Sequence, residues 1–540
     1  MILDWFERRR LVRKGLACDK TRLSHSDDNL QTRADCSWKL RLLILGFFIA
    51  VLHVGVVWGQ PGTPGAKLLE DQILAFIVFM SGLMLLELDA SGMWRSNSRL
   101  LLILGAIWFN LVIVKGIYLK GVEWGWFTPT DAANMGLFYF LAPCTFAPFL
   151  ITLLLGTRAG LFAVVQVSML ASLLIDRSFI FLLVSLLSGF TAVYFTQNVR
   201  KRADLLKAGC AVGCLNLLCA IILGFVHGRS MDHLGVEALF AIGAAIITAM
   251  VVSAILPLVE GAFQITTTIS WLELADLNHP LLQQMTMEAP GTYHHSLLVA
   301  NLAEAGAKAI GIDATACRVM AYFHDIGKMI KPEYFTENIP PGANPHENLT
   351  PTMSALIIIA HVKEGIDLAL KYGLKKQVIE GIQQHHGDSV VSYFYQRALQ
   401  QAQDAREGGK IMNMREEDVP EVSENSFRYP GPKPQTREIG LLGIADAVEA
   451  ASRSLEKPTA QRIEDLVNEI IAHKINTGQL DESNLTMNEI RTAAEAMSVT
   501  LKNMMHTRIS YAKKDKTSAT TVVKPTRRNS SAGPSASAAA

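Results

Sequence analysis

The sequence has 540 residues, half of them hydrophobic, which makes it too long for a single core and more apolar than is usual for a soluble protein. A membrane portion is therefore expected. Its 50 basic and 49 acidic residues nearly cancel, so no overall electrostatic field favours a nucleic-acid polymer as a partner. The seven cysteines are scattered and lie mostly in apolar segments, which is typical of reduced, structural thiols.

Residues 1–39 are polar and basic, with a run of arginines at Arg8, Arg9 and Arg10. A cleaved signal peptide has a much shorter basic region before its apolar core. We therefore expect a retained basic arm on the cytoplasmic side.

Eight apolar segments follow, most of them close to the roughly 20 residues with which a helix crosses a ~30 Å hydrocarbon core. They are Leu40–Trp58, Leu68–Leu88, Leu100–Ile117, Met135–Leu155, Ala159–Ile175, Phe179–Phe195, Gly209–Val226 and Ala238–Val259. The fifth and sixth are short and could instead form a re-entrant hairpin. If all eight cross, the basic loops concentrate on one side, which is then cytoplasmic. The expectation is a multi-pass protein of the plasma (inner) membrane with both termini in the cytoplasm.

The rest of the chain is expected to form three parts. Residues 260–290 have apolar residues at mixed helical spacing and predict a connecting helix or helix pair, which could also pair with its copy in a homodimer. Residues 291–510 are helical in pattern almost throughout and predict a compact all-α domain. Residues 511–540 are rich in Lys, Ser, Ala and Pro and predict a disordered tail. The predicted fold class is all-α, with a polytopic helical membrane domain at residues 40–259.

Histidines and aspartates recur at helix ends in the second all-α domain. They are His295, His324, Asp325, His361, His385, His386 and Asp446. In an all-α domain, metal ligands converge from different helices. The adjacent His324 and Asp325 offer an imidazole and a carboxylate whose two oxygens can bridge two cations. Imidazole with carboxylate suits Fe, Mn or Zn better than Ca or Mg. A single one of these histidines could be a surface or capping residue, so it is the whole set that favours a metal site.

The run from His324 to Lys328, His-Asp-Ile-Gly-Lys, matches the signature of HD-domain phosphohydrolases. Longer runs resemble the seven-transmembrane-receptor HD family over about Leu68 to Thr507. These runs are Tyr293–Ser296, Asn344–Glu347, Ile358–Val362, His385–Gly387 and Phe427–Lys433. That family consists of bacterial membrane-anchored phosphodiesterases of the second messenger cyclic di-AMP. The resemblance implies an HD-domain metallophosphohydrolase with two divalent metal ions, Mn or Fe, and cyclic di-AMP as its partner.

Carried over position by position, the resemblance implies two ligand sets. One ion would be held by His295, His324, Asp325 and Asp446. The other would be held by His361, His385 and His386, with Asp325 as the bridge. Of the adjacent His294 and His295, the second stands at the family's position. The family usually carries a large extracellular domain after the first span, where this chain has only the short Pro61–Gly65 loop, so external ligand sensing is not implied.

The implied reaction is hydrolysis of cyclic di-AMP to linear 5'-pApA by two-metal activation of water. Asp325 and Lys328 are the expected catalytic residues, Lys328 by neutralising a nonbridging phosphate oxygen. Lys328 could equally be a favourable charge at a helix C-terminus.

Four further residues are candidate substrate contacts. Arg428, Tyr429 and Lys433 lie in a turn stiffened by Pro and Gly and could contact a base or a phosphate, or could form a scaffold corner. His346 could face the substrate or cap the helix that follows Thr350.

Three other functions remain open. A cyclic di-GMP phosphodiesterase of the HD-GYP type is expected to carry Gly-Tyr-Pro soon after the paired histidines, and residues 387–390 do not. A single-metal nucleotidase or guanosine-tetraphosphate hydrolase would leave His361, His385 and His386 without a role. A nucleotide-binding membrane receptor without catalysis would have little need for an intact ligand set.

Overall fold

The computed structural model describes residue 35 and residues 37–57, 65–88, 96–126, 135–175, 177–340, 344–411, 422–455 and 459–506. The predicted all-α fold class is confirmed, because these residues form helices and no β-strand beyond one isolated bridge between Val390 and Arg428. Most of the predicted basic arm and the whole of the predicted tail at residues 511–540 lie outside the described residues.

The N-terminal part contains eight spans, within the described residues, that are long and apolar enough to cross a membrane, as predicted. Their helices are α1 (Trp38–Val57), α2 (Gly65–Leu88), α3 (Asn97–Glu123), α4 (Gly136–Leu141), α5 (Phe146–Leu155), α6 (Thr157–Leu174), α7 (Phe179–Thr196), α8 (Arg202–Val226) and α9 (Met231–Phe263). The fifth and sixth spans, α6 and α7, have 18 residues each. Each is therefore about 27 Å long, which is close to the thickness of the hydrocarbon core.

The fourth span is two helices rather than the single one predicted. α4 ends at Leu141 and α5 begins at Phe146. Pro143 lies between them, where it offers no N–H to a helix and its ring clashes with the preceding turn. Asn110 bridges the break: its Nδ2 donates to the Pro143 carbonyl at 3.0 Å, and its Oδ1 accepts from the Ala147 N–H at 3.0 Å. The freed backbone groups thus find partners inside the bundle, as an apolar environment requires.

The C-terminal part is an all-α domain with its own apolar core. Its helices are α10 (Thr268–Leu274), α11 (Pro280–Glu288), α12 (Pro290–Ile310), α13 (Ala314–Phe323), α14 (Pro351–Lys371), α15 (Lys376–Gln384), α16 (Ser392–Ile411), α17 (Arg437–Ser452), α18 (Ala460–Asn476) and α19 (Met487–His506). The connecting segment is the helix pair α10 and α11. Trp271, Leu281 and Met285 of this pair are buried in the core of the C-terminal domain.

The last membrane helix, α9, continues past the predicted boundary to Phe263, and Gln264 ends it with a left-handed backbone (φ 55°). The Glu260 side chain is buried at the end of this helix. Its carboxylate accepts hydrogen bonds from the Thr267 N–H at 3.1 Å, the Ser270 hydroxyl at 2.6 Å and Lys375 Nζ at 3.1 Å. Lys375 immediately precedes α15, so one carboxylate joins the end of the membrane part to the C-terminal domain.

We expect Glu260→Ala to destabilise the protein. The change leaves the Thr267, Ser270 and Lys375 donors without their common acceptor, which costs about 2–4 kcal/mol. The thermal unfolding midpoint of the detergent-solubilised full chain should fall, whereas Glu288→Ala, at an exposed position of α11, should leave it nearly unchanged. Equal midpoints for the two variants would contradict this account.

Candidate metal centre

Five helical segments bring the seven predicted metal ligands together. His324 ends α13 and Asp325 follows it directly. His385 ends α15 and is followed by His386. The other three lie within helices: His295 near the start of α12, His361 in the middle of α14, and Asp446 in α17.

The ligand atoms form two overlapping groups, and within each group they lie within 4.8 Å of one another. The first group is His295, His324, Asp325 and Asp446. The second group is Asp325, His361, His385 and His386. The side chains are buried except that of His386, which is 23% exposed. The structure thus divides these residues in the way the resemblance implied.

Asp325 is the residue common to both groups, and its two oxygens face opposite ways. Oδ2 lies 3.3 Å from His295 Nε2 and 3.2 Å from His324 Nε2. Oδ1 lies 3.4 Å from His361 Nε2 and 3.7 Å from His385 Nε2. A carboxylate in this position would be a ligand common to two divalent cations, one in each group.

Four of the imidazoles direct Nε2 into the centre because Nδ1 is bound elsewhere. In three of them Nδ1 donates to the backbone carbonyl three residues earlier: His324 to Ala321 at 2.8 Å, His361 to Ile358 at 2.6 Å and His385 to Ile382 at 2.8 Å. His295 instead donates from Nδ1 to the carboxylate of Glu449. A donating Nδ1 places the lone pair of the neutral ring on Nε2, where a metal ion can be bound.

Several of these inward atoms have no hydrogen-bond partner among the described residues. They are Nε2 of His324, His361 and His385 and both oxygens of Asp325. A buried polar atom left without a partner costs about 1–3 kcal/mol. Five such atoms converging on one place fit divalent cations. Nitrogen donors with carboxylate oxygens suit Mn, Fe or Zn.

Gly327 explains why the segment after Asp325 can approach α14 so closely. A Cβ at this position would lie 1.9 Å from the His361 carbonyl oxygen and 2.5 Å from the Gly365 nitrogen. Any side chain here would push the turn that carries Asp325 away from the helix that carries His361. The glycine of the His-Asp-Ile-Gly-Lys run therefore allows the Asp325 carboxylate to lie close to the second histidine group.

The two groups differ in the protonation of their histidines. Burial lowers the pKa of His361, lowers that of His385 to about 3 and holds the pKa of His386 well below the usual range. Burial also opposes a charge on His324, but the carboxylates of Asp325 and Asp446 raise its pKa to about 9. Hydrogen bonds to carboxylates raise the pKa of His295 well above its ordinary value, again against burial.

The predicted catalytic residue Lys328 lies between two carboxylates. Lys328 Nζ forms an ion pair with Asp325 Oδ2 at 2.7 Å, although this contact lacks hydrogen-bond geometry. Lys328 Nζ also donates a hydrogen bond of 2.9 Å to Glu337 Oε1. The charges of Asp325 and Glu337 raise the pKa of Lys328 against the effect of burial, so the ammonium stays charged. It also lines the cleft described next.

A cleft of about 700 Å³ opens onto the metal centre. Its walls include His295, His361, His386 and Asp446 as well as several aromatic side chains. The aromatic residues are Tyr334, Phe335, Tyr393, Phe394 and Tyr429. The volume lies within the range of small-molecule sites, and the aromatic faces suit nucleobases.

The four predicted substrate contacts have different positions. Tyr429 lines the cleft and stacks on His386, with ring centroids 4.3 Å apart. His346 also lines the cleft but is buried, and its Nε2 donates to the Tyr334 carbonyl at 2.9 Å. Arg428 binds the Asp388 carbonyl and Glu424, and Lys433 lies 3.8 Å from Asp481. Neither Arg428 nor Lys433 is among the residues that line this cleft.

Three charged residues near the centre were not singled out from the sequence. Glu449 lies one turn after Asp446 on α17, and Arg453 lies one turn after Glu449, a helical spacing visible in the sequence. Glu337 is in a loop and has no comparable sequence signal.

Comparison with known families supports the two-part organisation. The sequence model described as "7TM receptor with intracellular HD hydrolase" matches residues 66–267, and the model of the HD domain matches residues 292–451. Seven of the eight candidate spans lie in the first region, and α1 precedes it.

Two curated relatives are similar over both parts. The cyclic-di-AMP phosphodiesterase PgpH of Bacillus subtilis is 34% identical over 393 residues, and that of Listeria monocytogenes is 35% identical over 387 residues. Each alignment covers 71% of this chain, and 52% and 51% of the respective relative. The chain thus spans about half the length of these relatives.

Solved structures of the HD domain of L. monocytogenes PgpH are also similar in sequence. One of them is 40% identical to this chain, with a TM-score of 0.38. The match covers 42% of this chain and 100% of that structure. Another, in complex with cyclic-di-AMP, is 41% identical, also with a TM-score of 0.38. The match covers 42% of this chain and 99% of that structure.

An apolar helical part followed by an all-α HD domain defines a membrane protein of the HD-domain class. More particularly, the chain belongs to the family of 7TM receptors with an intracellular HD hydrolase.

We expect the two ligand groups to respond differently to pH. His324, with a pKa of about 9, is protonated at neutral pH, and a metal ion must displace that proton. Affinity at the first group should therefore fall at least about tenfold for each pH unit below 9. Affinity at the second group, where the pKa of His385 is about 3, should change little between about pH 6 and 8.

Titration of the full chain with Mn(II) at several pH values, with a dye reporting released protons, measures both effects. One binding constant should depend on pH and the other should not. Two equally pH-dependent constants would contradict the assignment.

Proposed function

We propose that this protein is a membrane-anchored, metal-dependent phosphodiesterase that hydrolyses cyclic di-AMP to linear 5'-pApA. The carrying observation is the pair of ligand groups that share Asp325, beside a cleft lined with aromatic side chains. The printed activity of the two relatives, cyclic-di-AMP phosphodiesterase, supports the choice of substrate. Two divalent ions, Mn or Fe, in such groups activate water and neutralise phosphate charge.

The charges of the centre suit this substrate. Asp325, Asp446, Glu449 and Glu337 all have a pKa below the ordinary value, because nearby cations and hydrogen bonds outweigh burial. With every histidine neutral, as a metal ligand must be, these four carboxylates and the cations Lys328 and Arg453 leave about two negative charges. Two divalent ions would add four positive charges and so leave the centre with a net charge of about +2. A cyclic dinucleotide has two phosphodiester anions, which would balance this charge. The loaded complex would then be close to neutral.

Within this reaction the side chains have separate tasks. His295, His324 and Asp446 would hold one ion and His361, His385 and His386 the other, and Asp325 would be a ligand common to both. Lys328, charged and at the cleft wall, would hold a nonbridging phosphate oxygen near Asp325. Tyr429, stacked on His386, would offer its face to a base. The buried His346 would keep the loop around Tyr334 in place.

Two alternatives are less well supported. A single-metal hydrolase would leave the second group of buried ligands without a function. A receptor without catalysis would not need a bridging carboxylate. A cyclic di-GMP phosphodiesterase remains the principal competing substrate assignment and is distinguished by assay.

We also propose that the C-terminal domain and both termini lie in the cytoplasm, because the more basic loops between spans then lie on the cytoplasmic side. A homodimer through residues 260–290 would have to use the surface of α10, α11 and their connection that lies outside the core, where Leu272, Leu277 and Met287 are exposed.

We expect Asp325→Ala to abolish turnover and to lower the bound metal count, because both ions lose their common ligand. The assay is incubation of the detergent-solubilised full chain with Mn(II) and either cyclic di-AMP or cyclic di-GMP, with the products identified by chromatography. Asp404→Ala, at an exposed position of α16, should retain activity. Full activity of Asp325→Ala would refute the site, cleavage of cyclic di-GMP alone would change the substrate, and cleavage of neither by the wild-type protein would refute the function.

We expect Tyr393→Ala to raise KM for cyclic di-AMP with little change in kcat. Tyr393 lines the cleft and is 68% exposed, and stacking of a base on an aromatic ring contributes about 1–3 kcal/mol. KM should therefore increase by about 5- to 160-fold. Tyr372→Ala, on the turn between α14 and α15 and outside the cleft, serves as control. An unchanged KM would exclude Tyr393 from base binding.

A further inference from the structure

We propose that Glu449, held by Arg453, is the positioning residue that makes His295 a metal ligand. This inference rests on the metal centre of the proposed function and adds to it two residues outside the ligand set. It also predicts which of the two ions depends on Glu449.

The first observation is the partner of the His295 imidazole. Its Nδ1 donates to Glu449 Oε2, and the Glu449 side chain is only 4% exposed. Because a carboxylate can only accept at this position, the neutral ring keeps its lone pair on Nε2. That nitrogen lies 3.3 Å from Asp325 Oδ2 and 3.1 Å from Asp446 Oδ1, inside the first ligand group. A carboxylate behind a metal-binding histidine fixes the tautomer and makes the imidazole a better donor.

The second observation is that the His295 ring is oriented differently from three of the other histidine rings. His324, His361 and His385 are each oriented by a backbone carbonyl of their own helix, which no substitution removes. His295 is oriented by a side chain from α17, on a different helix from its own. The first ligand group therefore contains a ligand whose orientation depends on one replaceable side chain.

The third observation is that Glu449 is itself held in place. Arg453 Nη2 donates to Glu449 Oε2 at 2.8 Å, and Arg453 Nε lies 3.1 Å from both carboxylate oxygens. Such a bidentate pair fixes the plane of a carboxylate as well as its position. Arg453 Nη1 lies 3.9 Å from Glu337 Oε2, and Glu337 accepts from Lys328, which pairs with Asp325. Alternating charges thus run from His295 around the edge of the cleft to the bridging carboxylate.

The proposal predicts that loss of Glu449 affects the binding of one ion and not of the other. Loss of Glu449 should loosen the ion held by His295, His324 and Asp446. The ion held by His361, His385 and His386 should keep its ligands, of which His361 and His385 are anchored by backbone carbonyls. A residue that only stabilised the fold would affect both ions alike.

The test is Mn(II) binding to the full chain in detergent, measured by the electron paramagnetic resonance signal of free Mn(II), which yields two dissociation constants without any assay of turnover. In Glu449→Gln we expect one constant to weaken by about 10- to 100-fold and the other to stay within about twofold of the wild-type value. His295→Ala should weaken the same ion. Glu438→Gln, in the first turn of the same helix, should change neither constant.

Two unchanged constants in Glu449→Gln, or an equal loss of both, would overturn the proposal. If this variant does not elute from size exclusion as the wild-type protein does, Arg453→Lys provides the same test. This substitution loosens Glu449 without removing it, so binding of the same ion should weaken by less than about tenfold. An equal loss of affinity for both ions would again contradict the proposal. A wild-type protein that binds two Mn(II) ions and cleaves no cyclic dinucleotide would reject the proposed reaction while leaving the role of Glu449 intact.

Discussion

The C-terminal domain depends on one buried carboxylate. Asp325 lies between two groups of histidines, with Oδ2 directed at His295 and His324 and Oδ1 at His361 and His385. A carboxylate without water around it is costly unless opposite charge surrounds it. Lys328 provides part of that positive charge. The two groups of histidines around Asp325 are suited to bind cations that would provide the rest. The fold around Asp325 can be understood as the means of bringing five helical segments to this point.

Features of the local sequence explain how the ligands are positioned at the centre. His324 and His385 stand at helix ends, where their rings can bind a carbonyl of the final turn and still point inward. Gly327 allows the turn after Asp325 to touch the backbone of α14. His324, His361 and His385 are thus oriented by backbone carbonyls, whereas His295 is oriented by the Glu449 side chain.

Much of this could be predicted from the sequence, for physical reasons. Spans of the required length and apolarity predict membrane helices, and the recurring histidines and aspartates predict a group of metal ligands. The break between α4 and α5 was not predicted, because an apolar run of the right length conceals the effect of Pro143 until Asn110 is seen to bridge it. Arg428 and Lys433 looked suited to bind substrate, yet they bind local backbone or acidic neighbours. Glu337 could not be predicted, since a loop residue shows its partner only after folding.

The carboxylate of Glu260 has a mechanical consequence for the centre. It binds Lys375 at the start of α15, where Gln377 Nε2 also donates to the Gln264 carbonyl at 3.0 Å. The other end of α15 carries His385 and His386, only about 14 Å further along a rigid helix. The end of α9 and the ligands His385 and His386 are thus connected through a single short helix, and a rotation or axial shift of α9 would act directly on the start of that helix.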